Sequence, residues 1–106
     1  MKLEYFLEDQ RLFSERAFGP GPRTRGIIRH IHKELCEIED NPLNLLEWVD
    51  VIILALDGAW RAGHSPENVC DAMVAKLERN KRRTWPDWRQ FTQDEAIEHD
   101  RRADDL

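Results

Sequence analysis

Cysteine is scarce in this 106-residue sequence: only Cys36 and Cys70 are present, far apart and without a Cys-x-x-Cys pair. That argues against a disulfide scaffold and for free, half-buried thiols in a reducing cytoplasm. Basic residues are outnumbered, 16 against 21 acidic ones, for a net charge of −5. The one basic run, Arg79 to Arg83, is interrupted by Asn80, so no nucleic-acid partner is expected. No apolar stretch of membrane-spanning length is free of charge. The most hydrophobic, Leu43 to Trp60, contains Glu47, Asp50 and Asp57, which excludes a membrane span. Residues Met1 to Gln10 are charged and lack an apolar segment, so no signal peptide is expected. No segment alternates in the manner of a strand, and no internal repeat is visible.

What remains is helical punctuation. Leu3 to Arg16 carries Tyr5, Phe6, Leu7, Leu12 and Phe13 among charges and reads as a first amphipathic helix. The prolines and glycines of Phe18 to Arg23 require a loop. Thr24 is the expected N-cap of a second helix that runs to about Asp40 and stops at Asn41-Pro42. A third helix is expected from near Leu43 to about Ala62, with Gly63 just past its end. Ser65 and Pro66 read as N-cap and first residue of a fourth, which ends near Arg83, before Trp85-Pro86-Asp87-Trp88. The expected organisation is one all-α domain over residues 1–93, then a charged tail over 94–106 that is frayed helix or disordered.

The carboxylates are the feature that points to chemistry. In the second helix Ile27, Ile31, Leu35 and Ile38 form an apolar stripe, with Ile28 beside it, and Glu34 and Glu37 share its edge. Alone, such a pair is more often a solvated face. The third helix is apolar on nearly every side from Leu45 to Leu54, which predicts a buried helix, yet it holds Glu47 and Asp50 three residues apart. A buried carboxylate must be paired, protonated or bound to metal, and no Lys or Arg lies between Leu43 and Ala59. A salt bridge to a distant cation is the competing reading. Two acidic pairs on helices joined by a tight turn can face each other and offer oxygens suited to a hard cation such as Mg²⁺. A di-iron bundle is disfavoured, because no glutamate has a histidine three residues on. His30 and His32 read as surface or supporting groups.

The fourth helix begins its stripe with Val69 and Met73, but helical spacing then brings Lys76, Asn80 and Arg83. Cations on that face suit phosphate oxygens, although a snorkelling Lys76 and a surface Arg83 near a helix C-terminus explain them equally well. Arg23, in the glycine-proline loop, is a further candidate for the substrate. Phe13, Phe18 and Trp48 have the right chemistry to stack a base, but at such spacing aromatics more often belong to a core.

Taken together, Glu34-x-x-Glu37 and Glu47-x-x-Asp50 resemble the signature of the all-α nucleotide pyrophosphohydrolases, the MazG-like superfamily. One branch resembles this chain over roughly residues 5–90. Its features here are Gly19-Pro20-Gly21-Pro22-Arg23-Thr24, the segment His30 to Glu39, the run Glu47 to Gly63, then Lys76, Asn80 and Trp85-Pro86-Asp87-Trp88. That branch is the phage and prophage dATP/dGTP diphosphohydrolase (MazZ-like) family. The resemblance implies a four-helix fold packed into an oligomeric bundle. It implies cleavage of a deoxynucleoside triphosphate, dATP or dGTP, to the monophosphate and pyrophosphate. It assigns Glu34, Glu37, Glu47 and Asp50 to Mg²⁺ or Mn²⁺, and Lys76 and Asn80 to the triphosphate. Glu37 is the carboxylate expected to orient the attacking water, with Arg83 and Arg23 as further substrate contacts.

A third helix with apolar flanks all round also requires cover from a second copy, so a homo-oligomer, dimer or tetramer, is expected. Two alternatives stay open. One is a non-catalytic helical module that dimerises and binds a partner; the other is a pyrophosphatase for a different nucleotide, such as dUTP or dCTP.

Overall fold

The computed structural model describes residues 1–101. It contains four α-helices, α1 (Leu3–Phe18), α2 (Thr24–Asp40), α3 (Leu45–Arg61) and α4 (Pro66–Arg82), and a single 3-10 turn at Trp88–Gln90. The described residues contain no strand. The chain divides into two units, Met1–Asp71 and a second beginning at Ala72.

Within the first unit α2 and α1 both pack on α3. Leu7, Leu56 and Val69 form the core, with Leu3, Phe6, Ala59 and Cys70 against them. Leu7 is fully buried, which contributes about 1.5–3 kcal/mol. Gly58 faces Ile27 of α2, and a Cβ there would lie in ordinary van der Waals contact with it at 3.7 Å.

The helix ends follow the punctuation with two shifts. Thr24 is the first residue of α2, not its cap; Arg23 holds the cap position and makes no side-chain capping bond. α3 starts two residues later than expected, because the Asn44 side chain accepts from Leu46 N at 3.1 Å and caps it. Gly63 ends α3 at φ 104°, and Ser65 Oγ accepts from Asn68 N at the start of α4.

Two faces differ from their sequence reading. On α1 the inward residues are Leu7, Gln10 and Ser14, whereas Tyr5, Leu12 and Phe13 are exposed. Gln10 is held there by a hydrogen bond from its Nε2 to the Ile53 carbonyl, 2.7 Å. On α3 the expected all-round burial does not hold within the chain. Leu45, Leu46, Trp48 and Ile52 are exposed by 71, 68, 49 and 55%, and the buried residues Leu56, Asp57, Trp60 and Arg61 all lie in its second half. Polarity decides neither face; each helix buries the side that its neighbours in the chain cover.

In the second unit two contacts tie the described part of the tail to the segment after α4. Asp100 N donates to Thr84 O at 2.7 Å, and His99 meets Trp85 edge-on, 5.9 Å between centroids. Residues 102–106 of the expected tail lie outside the described residues.

Candidate metal centre

The turn from α2 to α3 is short and well tied. Asn41 N donates to Glu37 O and Ile38 O, and Asn44 N to Asn41 O. Trp48 Nε1 reaches back to Pro42 O at 2.8 Å. The turn sets the two acidic faces opposite each other.

Glu34, Glu47 and Asp50 each bring a carboxylate oxygen within 4.8 Å of the others. Glu34 and Glu47 are half-buried, whereas Asp50 is exposed. Among the described residues no Lys or Arg forms an ion pair with these three. The one partner is His30, whose Nε2 lies 3.2 Å from Glu34 Oε1.

Loss of solvent raises the Glu47 pKa above its ordinary value, and the charges of Glu37, Asp50 and Glu34 raise it further. Glu37 is thus close enough for its charge to act on Glu47, although it is not one of the three whose oxygens converge. The salt-bridge reading gains no support here. Three carboxylates offering only oxygen, with no Lys or Arg partner, suit a hard divalent cation.

The other candidates are distributed. Lys76, Asn80 and Arg83 belong to the second unit. There Lys76 is exposed, and Arg83 Nη1 donates to Asn80 Oδ1 at 3.0 Å. Asn80 O also accepts from Trp85 Nε1 at 2.8 Å, which ties the Trp-Pro-Asp-Trp segment to the end of α4. Arg23 lies exposed at the mouth of α2, its guanidinium 5.9 Å from the Phe18 ring centroid.

One constellation escaped the sequence reading. Asp57 and Arg61 are buried on α3 and joined at 3.2 Å, and Ser14 of α1 completes the group by donating to Asp57 Oδ1 at 2.7 Å. The requirement that a buried carboxylate find a partner, applied to Asp57, points to Arg61 one helical turn on. Ser14 carries no comparable signal.

Comparison with known proteins agrees with this geometry. The Eaa protein of Salmonella phage P22 is 45% identical over 47 residues, which are 44% of this chain and 15% of that protein. The chain therefore matches a small part of that relative's length. No solved structure matches the chain. The model of the dATP/dGTP pyrophosphohydrolase family matches residues 7–105, nearly the whole sequence. An all-helical chain with converging acids on α2 and α3, matched over that span, belongs to the dATP/dGTP pyrophosphohydrolase family.

Proposed function

We propose that this protein hydrolyses dATP or dGTP to the deoxynucleoside monophosphate and pyrophosphate, using Mg²⁺ or Mn²⁺ held by Glu34, Glu37, Glu47 and Asp50. The observation that carries the reading is the convergence of Glu34, Glu47 and Asp50, with no Lys or Arg partner among the described residues, in a chain of this family.

The charge balance explains the need for cations. A nucleoside triphosphate carries about four negative charges and would be repelled by these carboxylates. A divalent cation held by these residues would supply the missing positive charge and make an attacking water more acidic. Glu37, beside the three converging acids, orients that water and accepts its proton. The proton leaves the water as its oxygen bonds to the α phosphorus, and the bond to the β-phosphate oxygen breaks. Lys76, Asn80, Arg83 and Arg23 bind the substrate, with Lys76 and Arg83 offsetting charge on the departing pyrophosphate.

The exposed apolar residues at the start of α3 support a homo-oligomer. Free Cys36 and Cys70 suit a reducing compartment such as the cytoplasm, and among the described residues no helix is long and apolar enough to cross a membrane.

The test is a panel of nucleoside triphosphates assayed for released phosphate species. Pyrophosphate from dATP and dGTP with Mg²⁺ or Mn²⁺, and none with EDTA, is expected. Orthophosphate as the first product would mean cleavage of a different bond, and preference for dUTP or dCTP would reassign the substrate.

A further inference from the structure

The Arg61 side chain is only 1% exposed, yet all five of its N–H donors are engaged. Nε bonds Asp57 Oδ2 at 3.2 Å. Nη2 bonds the Ser14 carbonyl and Oγ at 3.2 and 2.8 Å. Nη1 bonds the carbonyls of Gly19 and Gly21, at 2.9 and 2.8 Å. A buried ion pair is seldom the most stabilising way to fill a core, so it is weak evidence of a purely structural role. What it adds here is specification: two of the five bonds fix a loop 40 and 42 residues away in sequence.

The loop is built to be fixed. Gly19 and Gly21 have φ of +88° and +81°, and a Cβ on either would meet nothing within 4 Å. These glycines are required by backbone conformation, not by space. Two residues on stands Arg23. Gly26 makes room for it, since a Cβ there would lie 3.3 Å from Arg23 Nη2.

Arg23 lines a cleft of about 200 Å³ together with Phe18, Gly26, His30 and Leu54. That is smaller than the roughly 300–1,000 Å³ of pockets that take a whole ligand. The cleft therefore suits a part of one. Its His30 is also the residue bonded to Glu34 of the acid cluster. Among the described residues Arg23 has no carboxylate partner, which leaves its guanidinium for an acceptor oxygen. Arg61 thus grips a loop whose last residue presents an uncommitted guanidinium to the cleft that His30 also lines.

We infer that Arg61 is a positioning residue for the nucleotide: by holding the Gly19 and Gly21 carbonyls it sets Arg23 to meet an acceptor oxygen of the substrate, on a phosphate or on the base. This rests on the function proposed above. Arg61 touches no substrate and acts only through the loop.

The test is a double-mutant cycle with steady-state kinetics on dGTP and dATP. Arg61→Lys keeps the charge opposite Asp57 but cannot span both carbonyls. A small misplacement of a binding group costs up to about 10²-fold, and here a rise in KM of roughly 10-fold with kcat little changed is expected. Arg23→Ala should show the same rise, and the double variant no more than either alone. Because Arg61→Lys perturbs the core, Gly21→Ala provides a second route. It strains only the loop, at positive φ, and should reproduce the KM effect and its non-additivity with Arg23→Ala. A loss confined to dGTP places Arg23 on guanine, whose O6 and N7 accept from arginine; an equal loss on both substrates places it on a phosphate.

Amide exchange at Gly19 and Gly21 in the metal-free protein reports the clamp without any turnover, and should quicken in Arg61→Lys. If the wild type turns over dGTP while Gly21→Ala keeps an unchanged KM, or if the Arg23 and Arg61 effects simply add, this inference fails and the proposed function stands. If the wild type neither hydrolyses dGTP or dATP nor binds a non-hydrolysable analogue of either, both fail.

Discussion

Glu47 is the side chain whose charge sits least comfortably in its surroundings. Desolvation and three acidic neighbours raise its pKa, so ionising it costs more in the folded chain than in the unfolded one. For this group alone, the metal-free fold is most favoured below the ordinary carboxylate range. That advantage is lost as pH rises through the raised folded-state value. Glu47→Gln removes the penalty at neutral pH and should raise the metal-free Tm there, while the difference from wild type closes in acid. The same variant should lose turnover in Mg²⁺. Melting curves in EDTA at neutral and acid pH check the first part, and a variant that melts lower at neutral pH would reveal a hidden cationic partner. Lys76 offers a separate test, being exposed on α4. Lys76→Ala should slow catalysis by roughly 10²–10³-fold, as expected on losing one group that stabilises developing charge. Unchanged kinetics would assign Lys76 to solvent.

At the scale of helices, the cap of α3 matters most, because it lies three residues from Glu47. Asn44→Ala removes the bond to Leu46 N and should destabilise the chain by about 1 kcal/mol. Urea unfolding measures this, and binding of Mn²⁺ followed in parallel should weaken. The helix ends were legible because their signals are local: Gly63, Ser65 and Pro66 act within one turn. The acidic faces were legible for the same reason, since a spacing of three and a short turn determine which carboxylates meet. Burial was less legible. Phe13 was a core candidate by composition and is 56% exposed, whereas Ser14 beside it is 3% exposed. The difference lies in Asp57 and Arg61, 43 and 47 residues away. No window on α1 alone contains that information. The shift at Thr24 has a similar origin in the preceding loop, whose geometry places Arg23 at the cap.

For the molecule as a whole, the thin core and the exposed Leu45, Leu46, Trp48 and Ile52 argue for self-association. Light scattering at micromolar concentration should give a multiple of the 12.6 kDa chain mass. Ile52→Glu places a charge on that face and should shift the mass toward the single chain, with loss of activity if neighbouring copies support one another's sites. An active species of 12.6 kDa would rule the assembly out. The sequence reads this surface as apolar and in need of cover from a second copy, and within one chain it is exposed. A sequence records how oily a face is without recording which molecule covers it.

The short α2–α3 turn has a kinetic consequence. Glu34 and Glu47 are only 13 positions apart in the chain, so bringing them together costs little loop-closure entropy. Contacts this local form early, and helical pairs of low contact order assemble in the microsecond to millisecond range. Acids that meet before the rate-limiting barrier repel each other there, and a divalent cation relieves that repulsion in the transition state as well as in the native state. Mn²⁺ should therefore lift the folding limb of the chevron instead of only lowering the unfolding limb. The metal centre would then act as a folding nucleus, with cation concentration setting how fast the chain reaches its native form.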